Sequence, residues 1–201
     1  MKIIKYSNIA FKLLLIVLLA HLLLYPDLPQ YQNKGMAWRL AGYPLVCFAI
    51  AFTYHARRRL GKRNGTYPHF IDLLLTLTIT TDMLGNTLDL YNSIGWWDDL
   101  MHLTLSIPWV SVIGLALRAY YPRLSRLNTA ALTFGFGAVT HILWELAEYI
   151  SFVPNNAIES QSAYRDTMGD LTLSLIGSLV GAVLIATVLW EVGRKHSIIE
   201  P

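Results

Sequence analysis

Acidic and histidine side chains recur at helical spacings in four separate stretches of this sequence. Each stretch places its polar residues three, four or seven positions apart, so that they share one face of an α-helix. The four sets are Asp82, Asn86 and Asp89; Asp98, Asp99 and His102; His141, Glu145 and Glu148; and Asp166 and Asp170. Carboxylates and imidazoles on facing helices bind metal ions or relay protons. The pattern therefore indicates one polar site built from four helices.

The donor types in this set indicate which ions the site would bind. Most donors are carboxylate oxygens, and His102 and His141 supply nitrogen. Such ligands suit Mg²⁺, Mn²⁺, iron or Ca²⁺, and Zn²⁺ bound by two imidazoles, a carboxylate and a water is also compatible. A Cys-rich zinc site is excluded because Cys47 is the single cysteine. A divalent metal is the cofactor that this pattern favours.

Individual roles can be assigned on the same basis. The expected metal ligands are His102, His141, Glu145, Asp166 and Asp170. The catalytic candidates are Asp82, Glu148 and Asp99, with Asp82 or Glu148 as a general base or a partner of a metal ligand. For Asp98 and Asp166 taken singly, helix capping is an equally good interpretation, because acidic residues in a first turn satisfy free N–H groups.

The charge of the site restricts its chemistry. Eight carboxylates would lie close together, with Arg165 as the only nearby cation that the sequence places there. Like charges at close range cannot all remain ionised in a dry pocket. A bound metal, shared protons or water would each resolve the conflict. The first alternative predicts an enzyme or metal site, the second a proton or cation path, and the third a solvated vestibule.

The composition predicts that these polar faces lie within a membrane. Apolar residues make up 54% of the 201-residue chain and charged residues 14%, whereas soluble domains carry about a quarter charged residues. A helix needs about 20 mostly apolar residues to cross the hydrocarbon core. Six stretches qualify, covering residues 8–25, 37–56, 68–91, 98–121, 127–152 and 166–192. The sequence therefore predicts an all-α polytopic membrane helix bundle that forms one domain over residues 1–201.

The distribution of positive charge predicts the orientation of this bundle. Most of the 16 Lys and Arg residues fall on one side of the six spans, and Lys34, Arg39 and Arg165 are the exceptions. Positive residues concentrate on the cytoplasmic side. Both termini are therefore expected in the cytoplasm, with the polar site on the periplasmic or extracellular side of the inner (plasma) membrane. The basic loops would contact membrane lipids, and they do not require a nucleic-acid partner.

Three short motifs occur in the last four predicted spans. They are Trp97-Asp98-Asp99-Leu100-Met101-His102, Trp144-Glu145-Leu146-Ala147-Glu148 and Asp166-Thr167-Met168-Gly169-Asp170-Leu171, followed by Gly177 and Gly181. Their order and spacing resemble the YjdF-like family of bacterial multi-pass inner-membrane proteins. The resemblance places the recurring polar positions of that family on Asp99, His102, Glu145, Glu148, Asp166, Thr167 and Asp170. It implies an inner-membrane location and no particular activity.

Three functions are compatible with the polar faces. The first is a metal-dependent hydrolase or lipid-modifying enzyme that acts on an outer-leaflet lipid or a lipid-linked substrate. The second is a transporter or channel that passes protons or cations along the same carboxylates, which needs a path continuing past Asp72 to the cytoplasm. The third is a non-catalytic scaffold in which the polar cluster joins four helices.

Overall fold

The computed structural model describes residues 2–61, 65–152 and 160–195, and these residues form a bundle of α-helices. The fold class predicted from the sequence is confirmed. The helices are α1 (Lys2–Leu24), α2 (Met36–Arg59), α3 (His69–Thr87), α4 (Leu90–Ser93), α5 (Trp97–Tyr120), α6 (Arg126–Phe152), α7 (Ser160–Ala186) and α8 (Trp190–Lys195), with a 3-10 turn at Pro29–Tyr31.

The long helices alternate in direction along the chain. Arg39 near the start of α2 bonds to Asp82 near the end of α3, so these two helices are antiparallel. Gly85 of α3 in turn lies against Trp97 at the start of α5, which makes α3 and α5 antiparallel as well. Because α3 runs opposite to α2 and α5, the start of α2, the end of α3 and the start of α5 lie at the same end of the bundle. Their polar residues meet there.

Among the described residues, five helices are long and apolar enough to cross a membrane. They are α1, α2, α5, α6 and α7. The sixth long helix, α3, carries two carboxylates, Asp72 and Asp82, which lower its hydropathy. It is nevertheless antiparallel to both α2 and α5, and much of its length is buried in the bundle. Because α2 and α5 run in one direction and α3 runs between them in the other, α3 completes a bundle of six long helices.

The predicted third and sixth spans are too long at their ends. The third was expected to reach residue 91, but α3 ends at Thr87, and Asp89 adopts a left-handed backbone with φ of 59°. A short polar side chain tolerates this conformation. Asp89 therefore does not share a helical face with Asp82 and Asn86, and that prediction is wrong. The sixth was expected to reach residue 192, but α7 ends at Ala186 and α8 follows it.

Helix α7 packs closely along α5, and small residues make this approach possible. A Cβ on Gly177 would fall on the backbone of Leu103, and one on Gly181 would fall on Val110. Gly177 and Gly181 therefore form a small-residue contact that lets the two helices approach closely. Since α7 runs parallel to α5 at this contact, Asp170 of α7 faces Asp98 and His102 near the start of α5.

Candidate metal centre and its cavity

His102 lies at the centre of a group of carboxylates contributed by α5, α6 and α7. Its Nε2 atom is 3.6 Å from Asp98 Oδ1 and 3.8 Å from Asp170 Oδ1. On the other side of the ring, Nδ1 is 3.0 Å from Ser174 Oγ and 3.9 Å from Glu145 Oε1. We call Asp98, His102, Glu145, Glu148 and Asp170 the His102 cluster. Side chains from α5, α6 and α7, spaced about one turn apart along their helices, thus surround a single imidazole.

Two subsets of the His102 cluster have donor atoms close enough to share an ion. Asp98, His102 and Asp170 form one set and His102, Glu145 and Glu148 the other, each with its donor atoms within 4.8 Å of one another. Asp170 is only 3% exposed, and its Oδ1 has no hydrogen-bond partner among the described residues. A buried carboxylate oxygen without a partner is energetically costly. This atom is therefore the best candidate for a metal ligand.

Arg39 is the cation that neutralises part of this site. It is 7% exposed, and its Nε donates to Asp82 Oδ2 at 2.9 Å while Nη2 lies 3.8 Å from Glu148 Oε1. The guanidinium also stacks on the Trp144 ring at 4.8 Å. The sequence analysis placed Arg165 in this role, but Arg165 is exposed. In the sequence, Arg39 was counted among the few positive residues on the outer side of the membrane, and it was given no role in the site.

Asp82 is fully engaged by its neighbours. Both of its oxygens accept from Arg39, and the Tyr43 and Tyr91 hydroxyls donate to the carboxylate as well, the latter at 2.9 Å. We call Arg39, Tyr43, Asp82 and Tyr91 the Arg39 network. With its lone pairs occupied, Asp82 is poorly suited to accept a proton from substrate, and its position favours a structural role toward Arg39.

A cavity of about 420 Å³ lies beside the His102 cluster, between α2, α3, α5 and α6. This volume falls in the range of small-molecule sites. Polar residues at its outer end include Lys34, Arg39, Asp98, His102 and Glu148. His141 lies deeper, since the neighbouring Thr140 accepts a hydrogen bond from Trp109 Nε1 at 3.0 Å. Apolar residues and a glycine line the deeper part, and they include Gly42, Val46, Ile79, Leu105 and Trp109. The cavity is therefore amphipathic along its length.

The sequence was compared with known families, curated proteins and solved structures. The model of a family described as "Predicted membrane protein (DUF2238)" matches residues 10–191. The chain belongs to this family. It is the family known as YjdF-like, so the resemblance drawn from the motifs is confirmed. No curated protein and no solved structure matched. The family match and the five apolar helices show a multi-pass membrane protein.

The structure brings some of the expected site residues together and separates others. His102, Glu145, Glu148 and Asp170 are neighbours in the His102 cluster. His141 lines the cavity, and its Nε2 is buried with no hydrogen-bond partner in the described part of the chain.

The other three expected residues are not part of the His102 cluster. Asp166 is exposed at the rim of the cavity. Asp99 is also exposed, and its carboxylate faces Gly169 of α7. Asp82 belongs to the Arg39 network. The expected metal and catalytic residues therefore occupy two adjoining groups, with Glu148 in contact with both.

Sequence reasoning missed several residues of the site. Asp98 was interpreted as a cap as readily as a ligand, although its spacing of four residues from His102 was the available signal. Ser174 follows Asp170 by one turn, which was a weaker signal. Lys34 lies in the loop before α2 and Arg39 in the first turn of that helix, and no spacing connects them to the acidic helices.

A second buried ionic group lies at the opposite end of α3. Asp72 is 0% exposed, and its Oδ1 lies 2.9 Å from Lys12 Nζ. Its Oδ2 accepts from Asn8 and from the Tyr67 hydroxyl, each at 2.6 Å. We call Asn8, Lys12, Tyr67 and Asp72 the inner cluster. Both carboxylate oxygens are paired within the protein, and this carboxylate has no need of a ligand.

Proposed function

We propose that the protein is a metal-dependent membrane hydrolase that cleaves an ester bond in a lipid or lipid-linked molecule. The observation that carries the proposal is the Oδ1 atom of Asp170, buried without a hydrogen-bond partner among the described residues and 3.8 Å from His102 Nε2. It lies beside a cavity large enough for part of a substrate. The positive-inside distribution of charge favours the periplasmic or extracellular side for this cavity.

The metal would be bound by Asp98, His102 and Asp170. Ligand atoms at about 2.1 Å from one ion lie no more than about 4.2 Å apart, and the 3.6 and 3.8 Å separations around Nε2 meet this limit. Ser174 and Glu145 lie on the Nδ1 side, where a hydrogen-bonding partner fixes the ring orientation and tautomer of a metal-binding histidine. Three protein ligands leave coordination positions for water and substrate.

Two carboxylates and one imidazole suit Mg²⁺, Mn²⁺, iron or Zn²⁺. Such an ion lowers the pKa of a bound water and polarises the oxygen of an ester. Glu148, which lines the cavity and belongs to the His102 cluster, would accept a proton from the attacking water. The water oxygen bonds to the carbonyl carbon or phosphorus of the ester, the bond to the leaving oxygen breaks, and the proton passes to that oxygen.

The first experiment is elemental analysis of the detergent-purified protein. We expect near-stoichiometric metal in the wild type and little in His102→Ala or Asp170→Asn. Asp99→Asn is the matched control, because it neutralises a neighbouring carboxylate on α5 that is exposed and belongs to neither group of donor atoms close enough to share an ion. It should retain the metal. A wild type without metal, or a metal content that His102→Ala and Asp170→Asn leave unchanged, contradicts the proposal.

A second experiment tests the reaction itself. The purified protein is incubated with phosphatidic acid, phosphatidylglycerol and a polyprenyl phosphate, and released phosphate, glycerol phosphate and fatty acid are measured. Glu148→Gln should keep the metal and lose turnover by about 10²–10⁴-fold. If instead the metal-loaded protein carries protons or cations in liposomes, and Asp72→Asn abolishes that flux, the transporter alternative replaces the hydrolase.

A further inference from the structure

The cavity continues well past the His102 cluster toward the middle of the bundle. Trp109 lines its deeper part and follows His102 by seven residues on α5, which is a depth of about 10 Å along the helix. Val46 and Ile79 line the same part from α2 and α3. The site for chemistry thus occupies only the outer end of the cavity. The deeper part offers mainly apolar surface and no carboxylate, although His141 lies at this level beside Thr140, which accepts a hydrogen bond from Trp109.

The wall contributed by α2 has open space and reaches the outer surface of the bundle. A Cβ built on Gly42 would meet no atom within 4 Å, although this residue lines the cavity. Trp38, one turn earlier on the same face, is 68% exposed. Helix α2 packs on α3, and α6 packs on α5 and α7, so α2 and α6 form opposite walls of the cavity. A flexible apolar chain could therefore enter between them from the lipid.

A lysine without a hydrogen-bond partner among the described residues lies at the outer end of the cavity. The Nζ atom of Lys34 is buried and has no hydrogen-bond partner among the described residues, and it lies 5.2 Å from the centre of the Tyr91 ring. Burial lowers the pKa of Lys34, while the more distant carboxylates of Asp89 and Asp98 act in the opposite direction. Arg39, by contrast, is engaged by Asp82 and Glu148. An anion in the cavity would give Lys34 the partner that it lacks.

We propose that this cavity binds an anionic phospholipid, with the phosphate beside Lys34 and one hydrocarbon chain in the deeper part along Gly42, Val46 and Trp109. The proposal rests on the proposed function in one respect, because it identifies the bound lipid with the substrate class of the proposed hydrolase. The phosphate group then lies between Lys34 and the His102 cluster, where the ester bond is within reach of the metal ligands. The apolar depth favours a lipid over a free phosphate ion, which would leave the deeper lining without a ligand.

The test compares two lipids with identical chains by native mass spectrometry in detergent. Dioleoyl phosphatidic acid should bind the wild type about tenfold more tightly than dioleoyl phosphatidylcholine, because its headgroup has no compensating positive charge. Lys34→Gln should weaken binding of phosphatidic acid about tenfold and leave phosphatidylcholine unchanged. Equal binding of both lipids by the wild type, or an unchanged preference in Lys34→Gln, overturns the proposal.

Gly42→Leu tests the chain-binding part of the cavity. It should weaken both lipids, because the leucine side chain occupies the open space beside α2. Gly135→Leu is the matched control, since a Cβ on Gly135 also meets no atom within 4 Å but this residue does not line the cavity. It should bind both lipids as the wild type does. If Gly42→Leu does not fold, Lys34→Gln still tests the headgroup by itself.

Two further measurements separate the alternatives. Inorganic phosphate that competes with phosphatidic acid equally well in the wild type and in Gly42→Leu identifies a free-anion site and overturns the lipid assignment. Metal content is determined on the same samples. Selective lipid binding without bound metal supports this inference and contradicts the hydrolase proposal. Bound metal without lipid selectivity contradicts this inference and leaves the hydrolase proposal standing.

Discussion

The inner cluster and the His102 cluster bury charge in the same bundle in two different ways. In the inner cluster one carboxylate, that of Asp72, meets one ammonium, an amide and a phenol, and both of its oxygens are paired. In the His102 cluster four carboxylates surround one imidazole, and Asp170 Oδ1 has no hydrogen-bond partner among the described residues. The Asp72 carboxylate is satisfied by its neighbours, although Asn8 Oδ1 has no partner among the described residues, whereas the Asp170 carboxylate is available to the proposed metal ion.

This difference teaches which buried polar groups to interpret as functional. Buried carboxylates alone do not separate the two regions, since both contain them at positions within long apolar helices. What separates them is whether the protein supplies the partners. The Arg39 network supports this view, because Asp82 lies near the metal candidates and yet is occupied by an arginine and two tyrosines. The same residue type serves structure in one place and is available to a ligand in the other.

The largest expected effect breaks the inner cluster. Lys12→Met leaves the buried carboxylate of Asp72 without its cation, which should lower the free energy of unfolding by about 3–5 kcal/mol. Unfolding is followed in mixed detergent micelles. Lys5→Met on the same helix is the control, because Lys5 is exposed, and should change stability by less than about 0.5 kcal/mol. Equal effects of the two substitutions would show that the ion pair is not structural.

A smaller effect is expected when the metal is removed from the His102 cluster. The wild type is first equilibrated with free metal at a hundred times the dissociation constant of the site. Adding a chelator should then lower the free energy of unfolding by about 2.7 kcal/mol, because the ion binds only the folded state. Asp170→Asn should be insensitive to the chelator. It should also be at least as stable as metal-free wild type, since it removes a crowded buried charge. Thermal denaturation with and without chelator measures both, and a chelator effect that persists in Asp170→Asn would contradict the ligand assignment.

The smallest effect concerns the support of the imidazole. Ser174→Ala removes the partner at 3.0 Å from His102 Nδ1, which should cost about 1 kcal/mol of stability and weaken metal binding about 10–100-fold. Ser178→Ala is the matched control one turn further along α7, where the hydroxyl is buried and has no hydrogen-bond partner in the described ranges. Metal affinity is measured by competition with a chelating dye. A similar loss of affinity in both variants would place Ser174 among the packing residues.

Much of the fold followed from local properties of the chain. Apolar stretches of about 20 residues predicted the long helices to within a few residues at most ends, and the 3.6-residue period predicted which polar residues share a face. The end of α3 was missed because the backbone changes direction at Asp89 with no proline or glycine there to announce it. The overall topology was thus predictable, and a break that depends on one residue in a left-handed conformation was not.

The candidate site was predictable only in part. His102 and Asp170 were expected to lie together and they do, since their helices carry polar faces at the same level. Whether Asp98 or Asp99 faces His102 was open, because positions three and four residues away both lie on the same side of a helix. In the structure Asp98 Oδ1 lies 3.6 Å from His102 Nε2, one turn earlier on the same helix, whereas Asp99 is exposed and lies beside Gly169 of α7.

The sequence by itself determined that this is a membrane helix bundle with polar faces on four helices, because hydropathy and helical periodicity are local properties. The tertiary structure decided which of those polar residues are partners. Arg39 reaches Asp82 across 43 residues of chain, and Lys12 reaches Asp72 across 60. Such pairings depend on the register and rotation of packed helices, which no local pattern specifies. They determine which carboxylates are satisfied within the protein and which are available to a metal.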